Sequence, residues 1–458
     1  MRGEWVRLTL KEAGVSLLDC VHKTPPDAGD GYPYIAIPQM KEGRIDFNAN
    51  PRLISAADLE EWTKKANPQE DDVVLSRRCN PGETAYVPAG VRFALGQNLV
   101  LLRSDSSRVY PPFLRWLANG PEWWAQVDKY LNVGAVFDSL RCADIPNFEL
   151  PIPPIEEQKA IAHILGSLDD KIELNRRMNA TLEAMARALF KSWFVDFDPV
   201  IDNALAAGNP IPEPLQARAK ARKALGDQRK PLPEAIQKQF PSRFVSTEEM
   251  GWVPEGWEVS QISQLCTKIQ NGGTPRKDKT EYWDDGTVPW LTSGEVRQNI
   301  ITNTVNRITN LGLKNSSAKW LPSGATVIAM YGATAGQVAF VGEPLTTNQA
   351  VCGLIPKEPY RFFNYLTLER IVATLANQAR GSAQQNISKG IIQQTKVVIP
   401  PVVLGELLEK QVDNIFDKWI KNLNSQETLA KIRDTLLPKL ISGQLRIPDA
   451  EKLVADAI

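Results

Sequence analysis

Apolar residues recur at alternating steps of four and three along one stretch of this chain. From Ile161 the positions are Ile161, Leu165, Leu168, Ile172, Asn175, Asn179, Leu182, Ala186, Leu189 and Trp193. Eight of these ten are apolar, a heptad seam and not the broader stripe of a lone surface helix. A second apolar set, Ile164, Met178, Met185 and Phe190, widens the face and predicts more than one neighbour. Pro153-Pro154 suits a first helical turn, and Glu156 and Glu157 place negative charge at the positive end of the helix dipole. The pattern predicts one long helix within 153–197.

The same pattern occurs a second time, 247 residues later. Pro400-Pro401 is followed by Leu408, Val412, Ile415, Trp419, Asn422, Gln426, Leu429, Arg433, Leu436 and Leu440. The polar interruption recurs in register: Asn422 answers Asn175 and Gln426 answers Asn179. Upstream, the strand-like Leu150-x-Ile152-Pro-Pro answers Val397-x-Ile399-Pro-Pro. Two copies are too few for a solenoid and point to a duplicated half-molecule with a pseudo-two-fold axis. Antiparallel pairing of the two helices would bring Asn175, Asn179, Asn422 and Gln426 together at the midpoint. Polar residues in an apolar seam fix register, because a slip buries an amide against leucine.

Between the helices the hydropathy pattern changes to short strands. In residues 1–152, Tyr32-Pro-Tyr-Ile, Asp72-Val-Val-Leu-Ser and Gln97-Asn-Leu-Val-Leu-Leu read as strands, and a helix follows at 113–131. Residues 257–399 repeat this plan. Val288-Pro-Trp-Leu answers Tyr32-Pro-Tyr-Ile, Gly324–Ala329 answers Asp71–Ser76, and Asn348-Gln-Ala-Val answers Gln97-Asn-Leu-Val. The loops between these anchors differ in length and chemistry, as two readers of different sequences would require. Residues 198–256 form a Pro-rich connector with a basic helical piece at 215–226, residues 400–445 the second long helix, and 446–458 a tail. The fold class is α+β: two pseudo-symmetric α/β domains and two long antiparallel, coiled-coil helices.

Charge and chemistry narrow the function. Net charge is zero, but residues 257–400 hold 14 Lys+Arg against 9 Asp+Glu, while residues 1–155 hold 17 against 20. That excludes a uniformly basic nucleic-acid binder and leaves room for local basic loops. No run of eighteen apolar residues predicts a membrane span. Five scattered cysteines without a CxxC predict a reduced, cytoplasmic setting. Two histidines, His22 and His163, leave little for a triad or a metal site. There is no phosphate-binding GxxxxGK[ST], no Asp/Asn-Pro-Pro-Tyr/Phe of the adenine methylases, and no GxGxxG in Tyr331–Gly336. The expectation is a recognition module without catalytic residues, metal or cofactor.

Four phrases together, PIPPIEEQKAIAHILGSLDDKIELN, SWFVDFDPV, GWVPEGWEV and LLPKLISGQL, make the chain resemble the specificity subunits of Type I DNA restriction–modification enzymes, over essentially its whole length. The resemblance implies that each domain reads one half of a split double-stranded DNA target, with the helices as spacer. It further implies two methyltransferase subunits that methylate adenine at N6, and motor–nuclease subunits that join for translocation and cleavage. S-adenosylmethionine, ATP and Mg²⁺ would belong to those partners, and no membrane is involved. A specificity subunit of a Type IIB-like or orphan methyltransferase is the alternative within this architecture. A helical scaffold that reads no DNA is the alternative outside it.

Candidate contacts follow from loop chemistry: Arg and Lys suit guanine and phosphate, Asn and Gln suit adenine. In the second domain one loop offers Asn271, Thr274, Arg276, Lys277 and Lys279. A second offers Ser293, Arg297 and Gln298, and a third Tyr331 and Gln337. The first domain offers Gln39, Lys41 and Arg44, then Arg77, Arg78 and Asn80.

Overall fold

A computed structural model describes residues 5–134, 137–226, 231–380 and 386–455. The chain forms two compact units. One is Met1–Leu174 with Gln426–Ile458, the other Asn175–Ser425. Each takes one domain and one half of each long helix.

The long helices span Ile155–Phe194 and Val402–Ile441, 40 residues each, about 60 Å at ~1.5 Å per residue. In the first unit Ile161, Leu165, Leu168 and Ile172 share a core with Leu429, Leu436, Leu437 and Leu440. In the second unit Phe190, Trp193 and Phe194 share one with Leu404, Leu408, Val412 and Phe416. The beginning of each helix lies with the end of the other, so the pair is antiparallel. Of the second apolar set, Ile164 and Phe190 are buried whereas Met185 is 53% exposed. Met178, near the midpoint, is half-buried.

At the polar interruption, Asn422 (2% exposed) donates its amide to Asn179 Oδ1 at 2.8 Å, and Asn175 donates to Ser425 Oγ at 3.2 Å. Asn175 thus turns to a serine, and the direct amide pair is Asn179–Asn422. Asn179 Nδ2 and Gln426 Nε2 are buried without a partner. A buried donor left unbonded costs about 1–3 kcal/mol. Asn179→Leu combined with Asn422→Leu is therefore expected to hold or raise the melting temperature of the full chain while freeing the register. A clear fall in melting temperature would show that the amide pair is a net stabiliser.

Sheet topology is duplicated. In the first unit the strand Leu99–Ser104 lies between Val15–Asp19 and Val73–Ser76, with Thr84–Tyr86 outside the latter. In the second unit Val351–Pro356 lies between Cys266–Asn271 and Thr326–Ala329, followed by Val338–Val341. The strand before each long helix closes its domain: Glu149–Ile152 pairs with Val6–Thr9, and Lys396–Ile399 with Glu258–Gln261. The register also corrects one step of the repeat. Ser76 faces Leu99, and Ala329 faces Val351. Val351 thus stands where Leu99 stands, so Gln349, and not Asn348, is the structural equivalent of Gln97. A one-residue slip was invisible in sequence because Asn-Gln and Gln-Asn look alike there.

The helix that follows the sheet is one piece in the second unit, Arg361–Arg380, and two in the first, Pro111–Leu117 and Pro121–Tyr130. Pro121 cannot continue a helix, and Gly120 sits where a Cβ would lie 2.9 Å from Ile441 Cγ2. In the connector, Asp198–Ala207 and Gln216–Ala224 are helices clamped by two forked ion pairs. Arg218 reaches Asp198 with both bonds at 2.8 Å, and Arg222 reaches Asp202 at 2.7 and 2.5 Å. Burial alone would raise the Asp198 carboxyl. Arg218, Ser192 and Arg222 outweigh that and hold it below the usual range. Arg218 and Arg222 of the basic piece 215–226 thus serve the fold, while Lys220 and Lys223 are exposed, and the same contacts explain the acidic SWFVDFDPV phrase.

Candidate nucleic-acid interface

In the second unit a small sheet builds a cleft lined by threonines, amides and two tryptophans. Val288–Leu291 runs antiparallel to Asn306–Ile308 and parallel to Leu345–Thr347. Because Leu291 and Thr347 are in register, the chain leaves both strands at one edge, and Thr292 and Asn348 follow there. The cleft, about 600 Å³, is lined by Thr274, Lys277, Trp290, Thr292, Asn348 and Gln349 among others.

The loop from Asn271 is tied to this edge by its backbone. Gly273 N–H donates to Thr347 O at 2.9 Å, and Trp290 Nε1 donates to Gly273 O at 2.9 Å. Trp283 stands edge-on to Trp290, 5.0 Å between centroids, and donates to Arg276 O at 3.1 Å. A Cβ on Gly272 would sit 1.9 Å from Thr347 O, so only glycine permits this approach. Lys277 is exposed, Arg276 is exposed and paired with Asp278 at 2.6 Å, and Lys279 lies 3.9 Å from Glu281. Thr274 donates its hydroxyl to Gln349 Oε1 at 2.5 Å. Asn271 closes its strand half-buried, its Oδ1 buried without a donor.

The second loop opens with a capping box: Thr292 N–H and Oγ1 both donate to Glu295 Oε2, at 2.9 and 2.7 Å. Ser293 is half-buried in that turn, and Arg297 and Gln298 are exposed beyond it. The third loop lies against it, turn Gly332–Thr334 on turn Ser293–Glu295. Tyr331 is 38% exposed, and Gln337 is exposed. The three loops named from the sequence of this domain therefore share one face.

The first unit repeats the cleft but not the placement of the named residues. Tyr32–Ile35 runs antiparallel to Arg52–Ile54 and parallel to Ala94–Leu95. Tyr34 stands where Trp290 stands, and a cleft of about 310 Å³ is lined by Thr24, Tyr34, Arg52, Gln97 and Asn98. Gln39 borders it but is 6% exposed. Its amide accepts from Ala36 N–H at 3.0 Å and donates to Ala49 O at 2.9 Å, so it holds a turn. Arg44, also expected at DNA, is 12% exposed and binds Glu173 at 2.8 Å and the Asp169 carbonyl at 2.9 Å. Both are thus used by the fold.

Lys41, exposed and paired with Asp46 at 3.0 Å, and Asn80, bonded to Glu83, line a different cavity with Arg115, Asp169 and Arg433. Arg77 is half-buried with its Nε unpaired, and its N–H donates to Asn98 O at 3.1 Å. Arg78 is exposed. Thr24, Arg52, Asn98, Asn306, Asn348 and both glutamines line the clefts without having been candidates in the sequence. The one available signal was the answering pair Gln97-Asn98 and Asn348-Gln349.

Three of the five cysteines, Cys20, Cys266 and Cys352, are buried. Burial pushes the Cys20 thiol up to about 11 and those of Cys266 and Cys352 to about 12, far from thiolate nucleophiles. Asp19, Cys20 and His22 lie close together. The His22 ring nitrogens already meet Asp19 Oδ2 at 2.9 Å and Gln97 O at 3.1 Å. None of the described helices is long and apolar enough to cross a membrane.

Comparison with known proteins agrees with this architecture. The profile of the Type I restriction modification DNA specificity domain matches twice, at residues 21–184 and 254–433. The Type I restriction enzyme HindI specificity subunit of Haemophilus influenzae is 28% identical over 449 residues, spanning 88% of this chain and 96% of its own. The MjaIX specificity subunit of Methanocaldococcus jannaschii is 23% identical over 326 residues, 70% of this chain and 66% of its own. The crystal structure of a Type I restriction–modification S subunit from M. genitalium shares the fold, with TM-score 0.55 at 15% identity over 95% of this chain and 96% of that one. Two matching domains on a duplicated frame place this chain in the Type I restriction–modification specificity family, as a DNA sequence-specificity subunit.

Proposed function

We propose that each unit reads one half of a bipartite double-stranded DNA target and that the antiparallel helices act as the spacer. Two methyltransferase subunits dock on this frame and methylate adenine at N6, one per half-site, and motor–nuclease subunits join for restriction. S-adenosylmethionine, ATP and Mg²⁺ are carried by those partners, and the complex works in the cytoplasm. The observation that supports this reading is the pair of clefts: the same strand frame carries two different linings.

The test is domain exchange. Replacing residues 1–152 by the first domain of another family member should change one half of the methylated sequence and leave the other intact. A change in both halves would contradict independent readers. The purified chain alone should show neither methyl transfer nor cleavage.

A further inference from the structure

The two clefts share one polar side chain at one position. Gln349 and Gln97 each stand two residues past the parallel strand pair and two before the central strand of the larger sheet. Both are exposed, and both are held by their surroundings in different ways. Gln349 Oε1 receives the Thr274 hydroxyl, and its Nε2 has no partner among the described residues. Gln97 is pinned by its backbone: its N–H donates to Tyr34 Oη at 3.2 Å and its carbonyl meets His22 Nδ1 at 3.1 Å. Its side-chain amide has no partner among the described residues. Nothing in the fold uses these amides fully: Thr274 holds that of Gln349, and at Gln97 the backbone alone is fixed.

The rest of the lining indicates what they meet. The second cleft holds one cation, Lys277, and one anion, Asp284, with threonines, amides and two tryptophans around them, and the first holds one cation, Arg52, which already donates to Pro25 O at 3.2 Å, and no carboxylate. That balance does not favour a phosphate. It suits the edge of a base, where donors and acceptors alternate. A primary amide presents one donor and one acceptor side by side, which matches N7 and N6–H₂ of adenine in the major groove. Guanine there offers two acceptors and calls for Arg or Lys.

We infer that Gln349 and Gln97 are specificity-determining residues that each read an adenine in their own half-site. This rests on the proposed reading of the units as DNA readers. Arg and Lys of the surrounding loops then position the duplex through phosphates, and the glutamines set sequence.

Gln349→Glu is the test, because it keeps the oxygen that Thr274 needs and replaces the amide donor by an acceptor. The chain is co-expressed with its methyltransferase subunits, and the complex selects DNA from a randomised duplex library. The unsubstituted complex should select a bipartite sequence. With Gln349→Glu, the preference for adenine at one position should fall about 5- to 150-fold and move toward cytosine, whose N4–H₂ donates to a carboxylate. The affected position lies in the half-site that responds to exchange of the second domain. Gln97→Glu should do the same in the other half. Gln349→Ala should relax the position without the move to cytosine, and all three variants should melt with the parent. If the parent selects no bipartite sequence, the reading of the units fails. If the parent selects one and the variants keep it unchanged, or lose selectivity evenly at every position, only the assignment of the glutamines is overturned.

Discussion

Phe416→Ala should lower the stability of the second unit by about 3–5 kcal/mol, the range for deleting a large buried aromatic. Phe416 is 1% exposed and stands at the centre of a ring cluster. Its centroid is 4.4 Å from Phe362, 4.9 Å from Phe340, 5.8 Å from Trp419 and 5.9 Å from Tyr365. Phe362 comes from the domain helix, Phe340 from the large sheet, and Trp419 from the long helix itself. Removing the ring therefore opens a cavity where three elements meet, and none can move in without leaving the others. The same truncation removes ring–ring contacts worth about 0.5–1.5 kcal/mol each beyond area burial. Denaturant unfolding of the full chain, followed by tryptophan fluorescence, reads the effect, since Trp419 reports on this core. Phe416→Leu, which keeps most of the volume, should lose much less. A loss below about 1 kcal/mol for the alanine variant would mean that the helix does not anchor this domain through the aromatic cluster.

How far the sequence carried depended on the kind of constraint. The helices were legible because burial at Ile161, Leu165, Leu168, Leu408 and Val412 is a periodic property that a linear pattern records. The duplication was legible because amides interrupt both seams at the same steps. Sheet register was less so. Strand-like runs around Val73 and Val327 could be matched by eye, but a one-residue slip at Gln97 needed hydrogen-bond pairing to resolve. Individual contacts were the least legible. Arg44 and Arg78 are equally basic in sequence, yet one is enclosed by Asp169 and Glu173 while the other is exposed. Charge in a list cannot distinguish a surface group from a cation that finds its carboxylate 125 residues away. Loop 271–279 packs on its own domain for a local reason, two glycines where a Cβ would meet Thr347 and Ser317.

The repeat offset carries Phe416 onto Asp169, and there the first unit solves the same position with opposite chemistry. Asp169 is 5% exposed. Its Oδ1 lies 2.7 Å from Arg433 Nη1 and 3.3 Å from Arg44 Nη2, and its Oδ2 lies 3.7 Å from Arg115 Nη1. The three guanidiniums come from the partner helix, from the hairpin after Met40, and from the domain helix, so one carboxylate ties three elements. Asp169→Ala is expected to cost about 3–5 kcal/mol, because it leaves cations buried without their shared anion. Each arginine keeps a second contact: Glu173 for Arg44, Asp434 for Arg433, and the rings of Tyr86 and Trp116 at 4.4 and 4.3 Å for Arg115. That places the value toward the lower end. It should change little between low and high salt, since a buried cluster is poorly screened. The second unit also shows the apolar alternative, because the residue equivalent to Arg433 there is Ala186. Asp169→Phe combined with Arg433→Ala should therefore recover part of what Asp169→Ala loses, as replacing buried ion pairs by packed apolar groups commonly does. Denaturant midpoints of the three proteins, measured at two salt concentrations, decide it. If Asp169→Ala unfolds with the parent, the carboxylate does not join domain to helices. If its loss disappears in high salt, the cluster behaves as a solvated surface network.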